Sequence, residues 1–239
     1  MSPNPKVVQG ADKYAVREYV EEKGLGSLLT PLYGVWDHAE QIEWDKLPDQ
    51  FVLKCTHGCA YNIVCADKSS FDTASAKKQL NKWLKEDFGT FNVEIHYSMN
   101  KHHRIICEEY LGETITDYKF FCFHGVPKFY YVSENLLDNG QASIGFFNMN
   151  GEKLPMKRKE YKDLTNAEMP VFFDAMKESA IQLAKDFPFV RVDFFVTSDR
   201  YYFSELTFTP GGCMMAFDPE SYDSEWGKMI ELPKMEKSE

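Results

Sequence analysis

The sequence predicts an α+β fold with mostly antiparallel sheets, and three observations carry that expectation. Apolar runs of strand length recur along the chain. Most of them are joined by hairpin-length connections rather than by crossovers. The stretches between them repeat apolar residues at helical spacing. A chain of 239 residues that is 44% hydrophobic and 15% aromatic can bury a sizeable core, which excludes disorder, collagen and small disulfide scaffolds. The net charge of −10 repels nucleic-acid phosphates and anionic membranes, so nucleic acid is not expected as a partner and any phosphate site must be local.

The elements follow in order. Residues 10–22 place Ala15, Val16, Tyr19 and Val20 on one helical stripe behind Asp12 as the cap, ending near Gly24. Phe51 to Cys55 and Tyr61 to Cys65 read as two strands joined by a tight loop. A helix is predicted from Asp72 to Glu86, with Ala76, Leu80, Trp83 and Leu84 inward. Arg104 to Glu109, Tyr118 to Phe123 and Lys128 to Ser133 are strands, the last two turning through His124-Gly125. Residues 134–165 are polar and turn-rich and are assigned no element. Asn166 to Phe187 is predicted as a helix closed by Pro188. Strands Val190 to Thr197 and Tyr201 to Thr209 precede a Pro210-Gly211-Gly212 loop, a short helix from Pro219 and a frayed Met235 to Glu239.

No window has the roughly 18 apolar residues of a spanning helix. The start, Met-Ser-Pro-Asn-Pro, lacks a basic and an apolar leader region, so a cytoplasmic location is expected. Of the cysteines 55, 59, 65, 107, 122 and 213, four sit in apolar surroundings, which suits buried free thiols. A zinc site from Cys55, His57 and Cys59 has no second cysteine pair to complete it.

Residues 190–209 are the most informative. A hairpin centred on Asp199 sets Asp193 opposite Glu205 and Arg191 opposite Thr207, all on one face. Opposed carboxylates repel, and a divalent cation with oxygen ligands relieves the repulsion, which favours magnesium over zinc. Two other readings stand beside it: one carboxylate turns to solvent, or Arg191 neutralises the pair. Lys54, flanked by Val52, Leu53 and Cys55, needs an anionic partner or a route to water. The following Thr56-His57-Gly58-Cys59-Ala60 is either a plain hairpin loop or a small-residue loop whose N–H groups approach a phosphate. Ile105 to Gly112 is an apolar strand running into Glu108 and Glu109, either a solvated strand end or an edge that meets an adenine.

Taken together these blocks resemble the TupA-like branch of the ATP-grasp superfamily, found among bacterial surface-polysaccharide genes. The resemblance rests on residues 12–20 (Asp-Lys-Tyr-Ala-Val-Arg-Glu-Tyr-Val), 47–58, 108–112, 116–125, 186–193 and 205–211, in that order. It implies two α+β subdomains sandwiching ATP: an N-terminal helical segment over 1–50, a lid over 51–107 and a metal-bearing C-terminal part over 108–239. A full N-terminal Rossmann-like domain is not expected, because too little chain precedes Lys54.

By the same resemblance, Lys13 and Lys54 look like the two phosphate lysines, and His57, Gly58, Cys59 and Ala60 like the lid loop. Glu108 looks like the hinge acid, with Glu109 beside it, Leu111 supplying backbone contacts and Asp117 a ribose candidate. Lys119 is aimed at phosphate or substrate carboxylate, and Arg191 at the transferred phosphoryl group. Asp193 and Glu205 look like magnesium ligands. Thr207 stands where the family's E-x-N ending has an amide. The implied cofactors are ATP and magnesium. The implied reaction is carboxylate–amine ligation through an acyl phosphate, with a uronic acid of a surface polysaccharide and an amine as substrates, in association with polysaccharide-synthesis machinery. A sugar kinase, a glycosyltransferase-type enzyme and a degenerate nucleotide-binding accessory module are the alternatives. Lys153, Lys157, Arg158, Lys159 and Lys162 form a basic cluster suited to an acidic sugar or to solvent.

Overall fold

The computed structural model of the protein describes residues 4–134 and 142–232. The expected fraying of Met235 to Glu239 lies outside them. The described chain divides into two compact units, one running to Ile115 and including Tyr202–Leu206, the other Thr116–Tyr201 with the residues from Thr207 on.

In the first unit, α1 (Pro5–Ala11), α2 (Ala15–Glu22) and α3 (Thr73–Trp83) accompany a four-stranded sheet, with two short helices, α4 (Phe88–Asn92) and α5 (Ile95–Ser98). The sheet is made of β1 (Leu32–Trp36), β2 (Phe51–Cys55), β3 (Asn62–Cys65) and β4 (Ile105–Glu109), in the order β1-β4-β2-β3. β4 is antiparallel to β1 and β2, and β2 to β3. The single helix expected over 10–22 is two helices. Asp12 takes an extended conformation between them, and its Oδ1 accepts from the N–H groups of Tyr14 and Ala15 at 2.8 and 2.6 Å. Asp12 therefore caps α2 as expected, but the capping conformation itself stops α1. Val16, Tyr19 and Val20 are buried as the stripe requires.

Along β2, Phe51, Leu53 and Cys55 are fully buried and join Leu80 of α3, Ile105 and Cys107 in one core. The two-residue period leaves Val52 and Lys54 on the other face, where Val52 pairs with Glu108 and Lys54 with Ile106.

The second unit contains β5 (Thr116–Phe123), β6 (Val126–Glu134), β7 (Ser143–Asn148), β8 (Lys162–Asp163), α6 (Phe173–Ala184), β9 (Phe189–Val196) and α7 (Ser221–Gly227). With β10 (Tyr201–Thr207) the strands form a sheet in the order β10-β9-β5-β6-β7-β8. The β5–β6 turn is His124-Gly125, both residues at positive φ (49° and 78°), the geometry a tight hairpin turn demands. One face packs on α6 through Phe120, Tyr130 and Phe173. The other buries Phe121, Phe129 and Phe146 under Trp226, whose ring stacks 3.7 Å from that of Phe129. Alternation carries Asp117 and Lys119 of β5, and Arg191 and Asp193 of β9, onto this second face.

Two departures have local causes. The helix expected from Asn166 begins only at Phe173, because Pro170 disfavours helical geometry at Met169 and the Glu168 carbonyl accepts from the Tyr118 hydroxyl at 2.7 Å. β7 lies in the stretch left unassigned, and Ile144, Phe146 and Phe147 give it a buried centre. Among the described residues no helix is long and apolar enough to cross a membrane.

Asp12→Ala removes the cap of α2 and the 2.6 Å bond that Asp12 Oδ2 accepts from Asn100. The expected cost is about 1–2 kcal/mol, read as a lowered midpoint in urea unfolding; an unchanged midpoint would show that the cap contributes nothing.

Candidate active site

The first unit holds a buried carboxylate shared by two cations. Glu108 is 7% exposed. Its Oε2 accepts from Lys54 Nζ at 2.7 Å and its Oε1 from Arg17 Nη1 at 2.9 Å. Arg17 Nη2 also donates to the Thr30 carbonyl at 3.0 Å. Of the two outcomes its apolar flanks allow, Lys54 thus takes the anionic partner, and that partner is the residue the resemblance assigned to the adenine edge. The β2–β4 register makes the meeting possible: Lys54 and Glu108 lie on one face, diagonally across adjacent strands. Glu109 points the other way, towards a cleft it lines with Tyr33, Asp49 and Asp67. Leu111 follows β4 and is half-buried.

The loop after β2 is tied to the start of α2. Lys13 N–H donates to the Thr56 carbonyl at 3.0 Å, and Lys13 Nζ donates to the Gly58 carbonyl. Thr56, His57 and Gly58 are buried, whereas Cys59 and Ala60 are exposed and Ala60 has a φ of 59°. A side chain at Gly58 would come within 2.9 Å of the Tyr61 ring, so the close approach requires glycine. His57 Nε2 lies 2.9 Å from the Trp83 carbonyl, and its ring stacks on His103 at 3.5 Å. Burial, aided by the neighbouring His103, lowers the His57 pKa to about 4. Burial pushes the Cys55 thiol up to about 12, far from a thiolate ligand.

The second unit carries a denser cluster. Asp193 is fully buried: Arg191 Nε donates to its Oδ1 at 2.7 Å, and Arg191 Nη2 and Lys119 Nζ donate to its Oδ2 at 2.6 and 2.8 Å. Lys119 Nζ is also 3.6 Å from Asp117. Burial opposes the charge on Lys119, yet the carboxylates of Asp193 and Asp117 outweigh it and hold the ammonium above its usual range. Arg191 Nη2 donates to Thr207 Oγ1 at 2.9 Å. The turn between β9 and β10 closes with the Thr197 N–H donating to the Arg200 carbonyl at 2.9 Å, which centres it between Ser198 and Asp199 rather than on Asp199, the centre expected from the sequence. The Arg191 guanidinium also lies 5.7 Å from the Tyr131 ring. Arg191 therefore neutralises Asp193, and does so along its own strand rather than across a strand pair. Glu205 is half-buried on β10, two residues before Thr207.

Of the residues singled out by sequence, Lys54 and Glu108 meet in the first unit, and Asp117, Lys119, Arg191, Asp193 and Thr207 cluster in the second. Arg17, Thr30, His103 and Tyr131 carry contacts that no spacing revealed. The basic cluster is largely neutralised by acids: Lys153 pairs with Asp163 at 2.7 Å, Lys157 with Asp218 at 3.8 Å and Arg158 with Glu160 at 3.4 Å. Among the described residues no three His, Cys, Asp or Glu side chains form a metal-holding group, which leaves the Cys55-His57-Cys59 zinc reading without support.

His57 is neutral in the fold down to about pH 4 but protonates near 6.5 once unfolded, so the unfolded chain binds the extra proton between those values. Stability is therefore lost as pH falls through that window, by about 2 kcal/mol between pH 7 and pH 5. Urea unfolding should show this loss in the wild type and its absence in His57→Phe. Parallel profiles for the two chains would contradict the assignment.

The sequence profile of the TupA-like ATPgrasp family matches residues 2–231. None of the curated proteins matches the sequence. Among solved structures, D-alanine–D-alanine ligase from Bacillus anthracis superposes with a TM-score of 0.55 at 16% identity, covering 92% of this chain and 66% of that one. The same ligase complexed with ATP gives a TM-score of 0.54 at 14% identity, over 92% of this chain and 64% of that one. This chain thus spans just under two thirds of the length of those ligases, and the likeness is one of fold. The family match covers nearly the whole described chain and agrees with the architecture, so the chain belongs to the TupA-like ATP-grasp family.

Proposed function

We infer that the protein is an ATP- and magnesium-dependent carboxylate–amine ligase acting in the cytoplasm on a uronic acid of a bacterial surface polysaccharide or its precursor. The observation that carries this reading is the fully buried Asp193 bound by Lys119 and Arg191, in a chain of the ATP-grasp family. Buried ion clusters seldom add stability over an apolar packing of the same volume, so such a cluster is better explained by chemistry than by folding.

ATP phosphorylates the carboxylate to an acyl phosphate, with ADP leaving. The amine then attacks the acyl carbon, loses a proton, and expels inorganic phosphate to leave the amide. Lys13, Lys54 and Lys119 neutralise phosphate charge, and Arg191 stabilises the transferring phosphoryl group, whose chemistry depends on positioning and electrostatics. Glu108 and the backbone at Leu111 meet the adenine, with Glu109 flanking them, and Asp117 meets the ribose. Residues 51–107, which include the loop His57 to Ala60, act as a lid that keeps water from the acyl phosphate.

The oxygen donors of Asp193, Glu205 and Thr207 suit magnesium by chemistry, and those residues would hold it. When bound it supplies further neutralisation of phosphate charge. Asp193 Oδ1 accepts from Arg191, and Oδ2 from both Arg191 and Lys119, so a cation bound by Asp193 would share the carboxylate with those two side chains.

A coupled assay of ADP release, crossing uronic acids with amines, tests the reaction class. A ligase requires both substrates for phosphate release. A sugar kinase turns over with the sugar alone and leaves it phosphorylated, and that result would replace the ligase reading. Asp193→Ala and Glu205→Ala should each abolish magnesium-dependent turnover, by a factor of about 100 or more, without loss of the folded circular-dichroism spectrum. Full activity in either would remove that residue as a ligand.

A further inference from the structure

We propose that Arg17 is a positioning residue for the nucleotide site: it holds Glu108 in place so that Lys54 is free to exchange between that carboxylate and a phosphate. The proposal rests on the nucleotide reading above and goes beyond it, because Arg17 has no assigned role there.

The two oxygens of Glu108 are divided between the two cations, Oε1 to Arg17 and Oε2 to Lys54. Arg17 is fixed at both ends of its fork. One arm meets Glu108 on β4 and the other the Thr30 carbonyl just before β1, at 2.9 and 3.0 Å. Its backbone sits in the first turn of α2, which Asp12 caps. A planar guanidinium bound to two acceptors on different segments has little freedom. Lys54 differs in each respect. It has a flexible stem with rotatable donors, and among the described residues Glu108 is its hydrogen-bond acceptor.

The asymmetry decides which cation can leave. Removing the last partner of a buried carboxylate leaves an uncompensated charge in a poorly solvated place, a cost of several kcal/mol. With Arg17 present, Lys54 can turn to a phosphate while Glu108 keeps a full positive neighbour. Without Arg17, Lys54 becomes the sole counter-charge of Glu108, and phosphate binding must work against that pairing. Arg17 thus acts on phosphate affinity through Glu108 and Lys54 and touches no ligand itself.

The test compares equilibrium binding of ATP and of adenosine to the wild type, Arg17→Met, Arg17→Lys and the double variant Arg17→Met/Glu108→Gln, with thermal melting as a check of folding. Arg17→Met should weaken ATP binding by roughly tenfold or more and adenosine binding by a clearly smaller factor, the part that reaches the adenine through Glu108. Arg17→Lys should recover most of the loss. In the double variant, Lys54 no longer has a carboxylate to guard, so the ratio of ATP to adenosine affinity should return towards the wild-type value. Equal losses for ATP and adenosine in Arg17→Met, or no loss of ATP binding, would overturn the proposal. Should Arg17→Met fail to fold, Glu108→Gln alone decides: the ratio is predicted to hold or rise, and a fall would overturn the proposal. A wild type that binds no ATP would instead sink the nucleotide reading on which the proposal stands.

Discussion

A carboxylate taken out of water needs cations beside it, and both units of this protein are built around one that has them. Glu108 is held by Arg17 and Lys54, and Asp193 by Arg191 and Lys119. Each sheet must therefore give its charged face a different treatment from its apolar face, and the alternation of side chains along a strand makes this possible within a few residues. In β2, Leu53 and Cys55 go to the core while Lys54, between them, faces Glu108. In β9, Val192 and Phe194 are fully buried towards α6 while Arg191 and Asp193 lie on the reverse. A slip of one residue in either strand would bury charge in hydrocarbon and expose the core, so charge and core together fix the register.

The same face of the second sheet is divided along its length. Towards the His124-Gly125 turn it is packed with Phe121, Phe123 and Phe129 under Trp226. Beyond them come Lys119, Asp117, Arg191 and Asp193, with the buried Tyr131 ring beside Arg191. An aromatic block beside a charged cluster limits water around the ions and strengthens their interactions. Such an arrangement is a poor way to gain stability and a good way to pre-orient charged groups for a highly charged ligand.

Much of this was legible in the sequence where a local pattern had only one economical solution. Phe51 to Cys55 followed by a small-residue loop and a second apolar run could be read as paired strands, and the lysine inside the first needed either an anion or a route to water. A two-residue period and a short turn put Asp193, Arg191 and Thr207 on one face in the sequence reading, and Arg191 does bond Thr207, but the turn closes between Thr197 and Arg200, a half-step from the expected centre on Asp199. What stayed hidden were partners distant in sequence. Arg17 and Glu108 are 91 positions apart, and nothing near Arg17 marks it as more than a charged residue at the edge of an amphipathic helix. Element ends were misjudged where one residue overrode periodicity: Asp12 interrupts the first helical stretch, and Pro170 delays α6. β1 left no alternating signal, since Leu32 to Trp36 is only partly covered on either side and contains Gly34.

The family and the fold rest on observations independent of the chemistry, and the central chemical claim is that a carboxylate oxygen becomes bonded to the phosphorus of ATP. The most direct measurement is turnover with a uronic acid carrying 18O in its carboxyl group, together with ATP, magnesium and an amine. Transfer of one labelled oxygen into the inorganic phosphate released, in step with amide formation, is the predicted result. Phosphate free of the label, or label retained entirely in the sugar, would contradict carboxylate activation by this protein.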